Sequence, residues 1–550
     1  MSQPRVSTGG LGRASVLLAS GTIVSRLLGF ASALVLAAAL GTYAVGDVFA
    51  LANQLPNNIY AIIAGGLLSA VLVPQIVKAG MHDDGGQRFI NRLVTLGLAV
   101  FLLAAVAATL AAPWLVDFYS TQSADGSSGL APDEIALATA FAYWCLPQVL
   151  FYAIYSLLGE VLNARKVFGP FTWTPVFNNL VAIAGMVVFI VAFGGDPAHT
   201  DASTWTAPMI ALLAGSATLG IAVQGLGLFY FWRRAGLTYR PDFHWRGVGL
   251  GATGKAASWV FGMIVVTQLA GIVQSRVASM AAGDEFASVS ILRYSWLIFM
   301  LPHSIAAVSI ATAYFTRMST HAHEGNLGGV RTDFSASMRS IGLIMVFSAV
   351  GLVVLAYPFS AVFSTEFDAT QDMAAVLIAY LVGLVPFSIL FLIQRTFYSL
   401  NNTRTPFFLQ VFQSALFVVG ALIVSTWELQ WIAVGIAAVT AIAGSAQALA
   451  AAILLRRRLG RIDATRIIRS YATFLLAALP AAAAGVALLF LMGGTSQGGF
   501  AVASKPTAIV SMAVIGAAMA VVYAGVLVAL RNEELGEIVR PIVRRVRGRR

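Results

Sequence analysis

Long apolar stretches recur along almost the whole chain, and they constrain the fold more than any other feature. Each stretch reaches the roughly 20 residues that an α-helix needs to cross the hydrocarbon core of a bilayer. Only 10% of the 550 residues are charged, against about 25% in a typical soluble domain. A chain with so little charge cannot cover its surface for water, so lipid must be its solvent. The sequence therefore predicts an all-α polytopic membrane protein with about 14 transmembrane helices.

The predicted spans are 15–40, 46–77, 89–116, 134–160, 171–194, 206–232, 254–281, 286–317, 333–362, 371–400, 406–427, 430–455, 467–492 and 506–530. The first is too long for the apolar part of a cleavable signal peptide, so we interpret it as a retained span. Two spans are long enough to be tilted or broken, since 46–77 contains Pro56 and Pro74 and 286–317 contains Pro302.

Charged residues in the connections alternate in sign along the chain. Arg165 and Lys166 follow the fourth span, for example, whereas Asp196 and Asp201 follow the fifth; Lys505 is the exception. The positive-inside rule then places both termini in the cytoplasm and requires an even number of spans. The net charge of +11 is explained by this orientation signal and by attraction to anionic lipid headgroups. Nucleic acid is therefore not an expected partner.

Short motifs repeat in the same order in two halves of the chain. Residues 46–50 resemble 283–287, and Leu55-Pro56 is repeated as Leu301-Pro302. The repeat is parallel, because an offset of six spans preserves orientation, and parallel six-span halves are typical of transporters. We therefore predict two six-helix lobes plus a C-terminal helix pair. The predicted regions are a cytoplasmic tail (1–14), an N-lobe (15–235), a C-lobe (236–462), the helix pair (463–530) and a basic cytoplasmic tail (531–550).

Three of the arginines inside predicted spans are candidate binding residues, because a charge inside a span costs roughly 2.5–3.5 kcal/mol on insertion scales. Arg26 is in the middle of the first span, Arg276 is near the outer end of the seventh, and Arg293 is in the outer half of the eighth. Guanidinium groups pair bidentately with phosphate oxygens, so a shared cavity lined by these residues would suit a pyrophosphate. Two alternatives remain. Arg26 could instead pair with a neighbouring carbonyl or acid for structural reasons, and the Arg276 side chain could extend to the outer membrane interface.

Polar residues cluster at the start of the second span. Asp47 opens that span, either as a gate residue or as a carboxylate favoured by the helix dipole. Beside Pro56 follows a run of amide side chains that predicts a cavity-lining, bendable helix. Its members are Asn53, Gln54, Asn57 and Asn58.

Motifs of enzymes and nucleotide-binding proteins fail in this chain. Gly249, Gly254 and Lys255 have the spacing of a phosphate loop, but Ala256 stands where a Ser or Thr must hold magnesium. The sequence contains no zinc-protease motif. We expect a transporter without cofactor or metal, driven by an ion gradient, the membrane potential or a substrate gradient.

Several of these residues together resemble the MurJ (MviN) family of lipid II flippases, within the multidrug/oligosaccharidyl-lipid/polysaccharide exporter superfamily. The resemblance lies in residues 25–30 (SRLLGF), 46–49 (GDVF), 55–57 (LPN), 72–74 (LVP) and 395–406 (RTFYSLNNTRTP). It implies two lobes around an arginine-rich cavity, with the last two spans forming a groove for a polyprenyl tail. Arg26 matches the family's first-span arginine and Asp47 its second-span acid.

The chain departs from the family pattern at several charged positions. Ser32 and Ala33 stand where the family often has Arg-Asp, and the second span lacks the family's arginine and glutamate around Asn58 to Gly65. Leu297 occupies the position of the family's eighth-span arginine, one turn after Arg293. Either the positive charge of the cavity lies at other positions than in the family, or the substrate differs.

The resemblance implies a flippase that moves lipid II across the cytoplasmic membrane of a bacterium for cell-wall synthesis. Arg26 and Arg293, with Arg276, would bind the pyrophosphate. Asp47 would help to close the cavity or to release the substrate on the outer side. Expected partners are lipid II or a similar polyprenyl-linked substrate, membrane lipids and cell-wall synthesis proteins. Three alternatives stay open: export of another lipid-linked glycan or a drug, a non-transporting scaffold of wall synthesis, and a membrane glycosyltransferase.

Overall fold

The computed structural model describes residues 8–67, 86–121, 129–165, 167, 169–196, 199–244, 254–282, 286–364, 366–460 and 462–536. Within these ranges every predicted span coincides with one helix or with a consecutive pair of helices. Twelve helices of the described part are long and apolar enough to cross a membrane, or thirteen if a bent pair counts as one span. The predicted all-α membrane fold is confirmed. The end of the second predicted span, including Pro74, lies outside the described residues, as do residues 1–7 and 537–550.

The chain divides into two compact units, residues 1–284 and 285–550. The described helices of the first unit are α1 (Thr8–Leu40), α2 (Val45–Leu67), α3 (Gln87–Leu110), α4 (Ala112–Tyr119), α5 (Pro132–Cys145), α6 (Gln148–Ala164), α7 (Gly169–Phe193), α8 (Ala207–Arg234) and α9 (Gly254–Ser279). Of these, α2 is not apolar enough over its described length to count as a membrane span, because its run of amide side chains lowers its mean hydropathy.

The second unit contains the remaining described helices. These are α10 (Val289–Pro302), α11 (Val308–His323), α12 (Leu327–Val354), α13 (Ala356–Ala361), α14 (Phe367–Leu381), α15 (Leu384–Ser399), α16 (Arg404–Val424), α17 (Leu429–Leu459), α18 (Ala464–Leu491) and α19 (Lys505–Ala529). Side chains close the starts of several helices: Asn326 Oδ1 accepts from Gly329 N before α12, and Glu134 accepts from Ala131 N in α5.

The boundary between the two units lies one helix later than the predicted boundary between the lobes. We predicted the C-lobe to begin at 236, but α9 packs against α2 and α4 of the first unit. The side chain of Gln268 in α9 donates a hydrogen bond of 2.9 Å to the carbonyl of Asn58 in α2. The contacts of α9 therefore assign it to the first unit, whereas the functional division into two lobes stays a prediction.

Small residues let the helices of the first unit approach closely. A Cβ built on Gly185 in α7 would lie 2.2 Å from the Cβ of Ser216 in α8. On the other side of α7, Asn179 donates a hydrogen bond of 3.0 Å to the carbonyl of Ser25 in α1. Close packing and polar contacts of this kind hold helices together in lipid, where burial of apolar surface gives no driving force.

The predicted C-terminal pair, α18 and α19, packs on α12 of the second unit. Two tyrosine hydroxyls donate hydrogen bonds of 2.9 Å to main-chain carbonyls of α12, Tyr471 to Met338 and Tyr523 to Leu343. Gly342 lies between these carbonyls, and a Cβ there would be 2.5 Å from the Tyr471 ring. The contacts attach both helices to α12. The lipid-tail groove predicted for this pair remains a prediction.

Proline interrupts one of the two spans for which we considered a break. After Pro302, residues His303–Ala307 form a π-helical turn that separates α10 from α11. Proline removes one backbone hydrogen bond of a helix, and π-helical turns are frequently found at functional sites. Helix α2, by contrast, continues through Pro56 without a break.

A second interruption was not predicted. Helices α14 and α15 are bent by 42° at a short break that contains Gly383. A Cβ at Gly383 would lie 3.0 Å from the Cα of Ala441 in α17. The glycine thus permits the close approach of α17 at the bend.

Candidate functional site

Arg26 lies near the middle of α1 with an exposed side chain. One face of α1, marked by Ser25 and Gly29, packs on Asn179 of α7, so Arg26 emerges on the adjacent face. Within the described ranges, its guanidinium forms no ion pair with a carboxylate. A charge at this depth requires water or an anionic ligand, which is the property expected of a substrate-binding arginine.

The amide run of α2 divides into two pairs with different environments. Gln54 and Asn57 are exposed, whereas Asn53 is half-buried and Asn58 is buried. Asn53 Oδ1 accepts a hydrogen bond of 3.4 Å from Gln148, and the Asn58 side chain bonds to the hydroxyl of Tyr119. Gln54 and Asn57 thus remain accessible, and their lining of an aqueous cavity stays a prediction, while the other pair contacts neighbouring helices.

Asp47 is buried in the first turn of α2, with 1% of its surface exposed. A carboxylate in this position is stabilised by the positive end of the helix dipole. The burial means that a ligand cannot reach the carboxylate in this conformation. The placement favours the helix-terminal interpretation, and the gating role of Asp47 stays a prediction.

Arg276 lies one turn before the end of α9 and contacts the neighbouring helix end. Its Nη1 donates a hydrogen bond of 3.3 Å to the carbonyl of Phe118 in α4, and its own carbonyl accepts one of 2.9 Å from Thr121. These contacts tie α9 to the connection that follows α4. They favour a structural role near the membrane surface, which was the alternative considered for this residue.

Arg293 lies in the second turn of α10, in the second unit, and is exposed. Its neighbours Tyr294 and Ser295 are buried, and the Tyr294 ring packs 5.0 Å from that of Phe363. Arg293 has no carboxylate partner among the residues that the structure describes. Residues four apart share a face of a helix, so Arg293 and Leu297 differ by about 6 Å along the same face.

A stripe of exposed hydroxyl groups, which we did not predict, runs along α11. Each hydroxyl donates to the carbonyl four residues earlier, so only its acceptor lone pairs remain for a ligand or water. The members are Ser309, Thr312, Thr316 and Thr320, with bonds of 2.6, 2.7, 3.3 and 3.2 Å. The spacing of three and four residues was a readable sign of a polar helix face.

Two groups of buried polar side chains were not predicted either, because a single polar residue in an apolar segment forms no recognisable sequence pattern. Gln148 Nε2 donates to Thr218 Oγ1 at 2.9 Å, but its buried Oε1 has no hydrogen-bond partner in the described part of the chain. In the second unit, buried Asp333 pairs with Arg317 at 2.6 Å and lies 3.6 Å from His321. The latter cluster holds the end of α11 against the start of α12.

The predicted site residues thus fall in both units. Arg26, Asp47, the four amides of α2 and Arg276 belong to the first, whereas Arg293 belongs to the second. The joint binding of one pyrophosphate by Arg26 and Arg293 stays a prediction. The described residues include no group of three or more His, Cys, Asp or Glu side chains that could hold a metal ion.

Comparison with known proteins gives consistent matches. A family model described as "Lipid II flippase MurJ" matches residues 36–511. Two relatives named probable lipid II flippase MurJ are similar over most of their length. The protein of Haemophilus influenzae is 26% identical over 86% of this chain and 92% of its own, and that of Rhizobium meliloti is 27% identical over 92% and 91%.

Solved structures show the same fold. A lipid II flippase MurJ in an inward closed conformation superimposes with a TM-score of 0.70 at 18% identity, covering 93% of this chain and all of that one. An inward-facing multidrug-resistance transporter of the MATE family superimposes with a TM-score of 0.61 at 15% identity, covering 82% and 99%.

Proposed function

Since the chain belongs to the MurJ family, we propose that it flips lipid II from the inner to the outer leaflet of the cytoplasmic membrane. Lipid II here means the polyprenyl-pyrophosphate-linked precursor of peptidoglycan. The observation that carries the proposal is the family match, which spans residues 36–511 and so includes the described helices from α2 to α18. Transport would proceed by alternating access of the two lobes.

Two exposed arginines give this function a chemical basis. Arg26 in the first unit and Arg293 in the second lie on membrane helices without a carboxylate partner in the described ranges. Each guanidinium can donate two parallel hydrogen bonds to oxygens of a pyrophosphate. We assign both residues to headgroup binding in the inward-open state, with Gln54 and Asn57 as polar lining of the cavity.

The test is a strain in which the chromosomal copy is depleted and a variant is supplied. With Arg26→Ala and Arg293→Ala combined, lipid II should stop reaching the outer leaflet, where an external reagent detects it. Arg165→Ala removes an arginine from a connection instead and should behave like the wild type. Normal lipid II externalisation by the double variant, at the wild-type protein level, would refute the assignment.

Drug export is a second candidate, because the fold also matches a multidrug transporter of the MATE family. The exposed arginines disfavour organic cations, which like charges would repel. The same strains distinguish the two functions: drug export predicts altered efflux of a fluorescent cation and unchanged lipid II externalisation. Both termini are expected in the cytoplasm, which reporter fusions to each end would test.

A further inference from the structure

Arg395 lies one turn before the end of α15 and holds its charge between two aromatic rings. Its Cζ atom is 5.0 Å from the ring centre of Phe391, one turn earlier in the same helix, and 5.6 Å from that of Phe315 in α11. The Phe391 ring also packs edge-on against His303 at 5.3 Å, which restricts its position. Contacts with the two rings stabilise the cation but supply no oxygen acceptor for its N–H donors.

The guanidinium of Arg395 lacks an anionic partner in the described part of the chain. It forms no ion pair with a carboxylate there, although its side chain is half-buried. By contrast, Arg317 in the neighbouring helix α11 pairs with Asp333. A charge that is partly removed from water is favoured by a counter-ion, so Arg395 is a candidate for binding an anionic ligand.

The exposed hydroxyl stripe of α11 passes beside the ring of Phe315. Thr312 lies three residues before Phe315 and is therefore its neighbour on the helix surface, and Thr316 follows Thr312 by one turn. Both threonines are exposed, and each donates its hydrogen to a carbonyl of its own helix. They can only accept further hydrogen bonds, whereas Arg395 can only donate them. This combination suits a ligand with an anionic group next to hydroxyl or amide donors.

Arg395 lies at the exposed edge of the contact between α15 and α11. The next residue, Thr396, is buried against Met318 of α11, with 3.6 Å between Oγ1 and Sδ, whereas Phe315 is half-buried. Both helices end within about two turns of this contact, at connections for which the charge pattern predicts a cytoplasmic position. The headgroup of a lipid in the inner leaflet lies at this depth before it is transported.

This position is separate from the one assigned to Arg293. Arg293 and Phe315 belong to the same interrupted span, α10 and α11, and the helical rise separates them by roughly 30 Å along the axis. A single pyrophosphate group is much shorter than this distance. Arg293 and the arginine beside Phe315 would therefore bind the group at different stages of transport.

We propose that Arg395 binds a phosphate of the lipid substrate at the cytoplasmic end of the second unit, before that phosphate reaches Arg293. Thr312 and Thr316 accept hydrogen bonds from the sugar that a peptidoglycan precursor carries next to the phosphate. The inference rests on the proposed function and on the predicted orientation of the chain. It has a consequence that the proposed function alone lacks, because capture of the substrate should not require Arg26 or Arg293.

The experiment uses the full chain, purified in detergent and carrying Arg26→Ala and Arg293→Ala. Thermal unfolding at increasing ligand concentration measures the affinity for lipid II, for undecaprenyl pyrophosphate and for undecaprenol, which has no phosphate. We expect this background to bind both pyrophosphates and to bind undecaprenol far more weakly. Adding Arg395→Ala should weaken both pyrophosphates about ten- to hundredfold, the effect of a lost hydrogen bond to a charged group. Arg395→Lys should restore part of the affinity.

The threonines are tested by comparing the two pyrophosphates. In the same background, Thr312→Val with Thr316→Val keeps the shape of the side chains and removes the acceptors. This change should weaken the binding of lipid II about tenfold, through the loss of hydrogen bonds to the sugar. It should leave undecaprenyl pyrophosphate unaffected, because that ligand has no sugar. Equal weakening of both ligands would overturn the assignment of the threonines.

Two control variants match these changes. Arg234→Ala removes another arginine that lies on a ring, 4.7 Å from the centre of Tyr230 in the first unit. Thr473→Val removes a hydroxyl that donates to the carbonyl four residues earlier in α18. Both should keep the affinity of the background for lipid II.

Three outcomes would overturn the proposal. In the first, Arg395→Ala leaves the affinity for undecaprenyl pyrophosphate unchanged. In the second, inorganic pyrophosphate binds as tightly as the lipid, which would indicate a site for a free anion. Either result leaves the proposed transport function intact. In the third, the wild-type chain binds neither lipid II nor undecaprenyl pyrophosphate, and the proposed function then fails as well.

Discussion

The position of the charge on α10 offers a direct test of the pyrophosphate assignment. Arg293 and Leu297 share one face of that helix, and the resemblance places the family's arginine at Leu297. Exchanging them, with Arg293→Leu and Leu297→Arg in one chain, moves the guanidinium by one turn, or about 6 Å along the helix axis. We expect the single change Arg293→Leu to impair lipid II flipping and the double change to restore it.

The magnitude follows from the bond that is lost. A hydrogen bond to a charged group contributes roughly 1.5–3 kcal/mol, which corresponds to about a ten- to hundredfold loss of binding or transport. A long arginine side chain can cover a shift of one turn, so the double variant should recover to within about tenfold of the wild type. Leu297→Arg alone should reduce lipid II flipping only slightly, because Arg293 stays in place and Leu297 is only half-buried.

The assay follows lipid II in the outer leaflet of cells depleted of the chromosomal copy, with the level of each variant in the membrane checked by immunoblot. Arg165→Ala serves as a control for a general loss of positive charge. The reasoning is refuted if Arg293→Leu externalises lipid II at the wild-type rate. It is also refuted if the double variant reaches the membrane normally but remains as defective as the single one.

Three further predictions concern packing, protonation and water access. Burial raises the pKa of Glu534, but hydrogen bonds, including one from Arg339, leave it below its ordinary value of 4.5. Its stabilising contribution is therefore full above pH 4.5 and lost as the pH falls below it, and Glu534→Gln should lower the free energy of unfolding at neutral pH by about 3 kcal/mol. Gly185→Ala should destabilise the first unit by about 1–3 kcal/mol, and Ser216→Gly in the same chain should reverse this. Thr312→Cys should react with a water-soluble maleimide, since Thr312 is exposed and we expect the hydroxyl stripe to face water rather than lipid.

Each of these predictions has a defined control. Thermal unfolding with and without acid tests Glu534, and a pH profile that is identical in Glu534→Gln would contradict the ion-pair argument. For the glycine, equal melting temperatures of Gly185→Ala with and without Ser216→Gly would argue against a steric cause. The maleimide experiment uses Cys145→Ser as background, since Cys145 is the single cysteine and is buried. Ile442→Cys, exposed on an apolar face, should stay unlabelled, and equal labelling of both positions would count against a water-filled cavity.

The sequence predicted the positions of the helices better than the direction of their side chains. Hydropathy reports the cost of placing a whole segment in lipid, so each predicted span coincides with helices in the described ranges. It carries no information on rotation about the helix axis. From the sequence we predicted that both Asp47 and Gln54 belong to the gate and the polar cavity, yet Asp47 is buried and Gln54 is exposed.

Contacts between distant segments were beyond the reach of the sequence for a related reason. The packing of α9 on α2 depends on a side-chain bond from Gln268 to a main-chain carbonyl, and any residue supplies such a carbonyl. The connection after α8 is likewise attached to α3 by the pair Arg92 and Asp242, which are 150 positions apart. By contrast, the hydroxyl stripe of α11 had a regular spacing and could have been predicted.

The attachment of the last two helices through Tyr471 and Tyr523 has an evolutionary consequence. The acceptors on α12 are the main-chain carbonyls of Met338 and Leu343. Substitutions at those two positions leave the acceptors in place, so these hydrogen bonds do not restrict the side chains there; only their burial requires them to remain apolar. Gly342 is the exception, because any larger residue would displace the Tyr471 ring. A comparison of homologous sequences should therefore find the two tyrosines and the glycine conserved, and different apolar residues at the two acceptor positions.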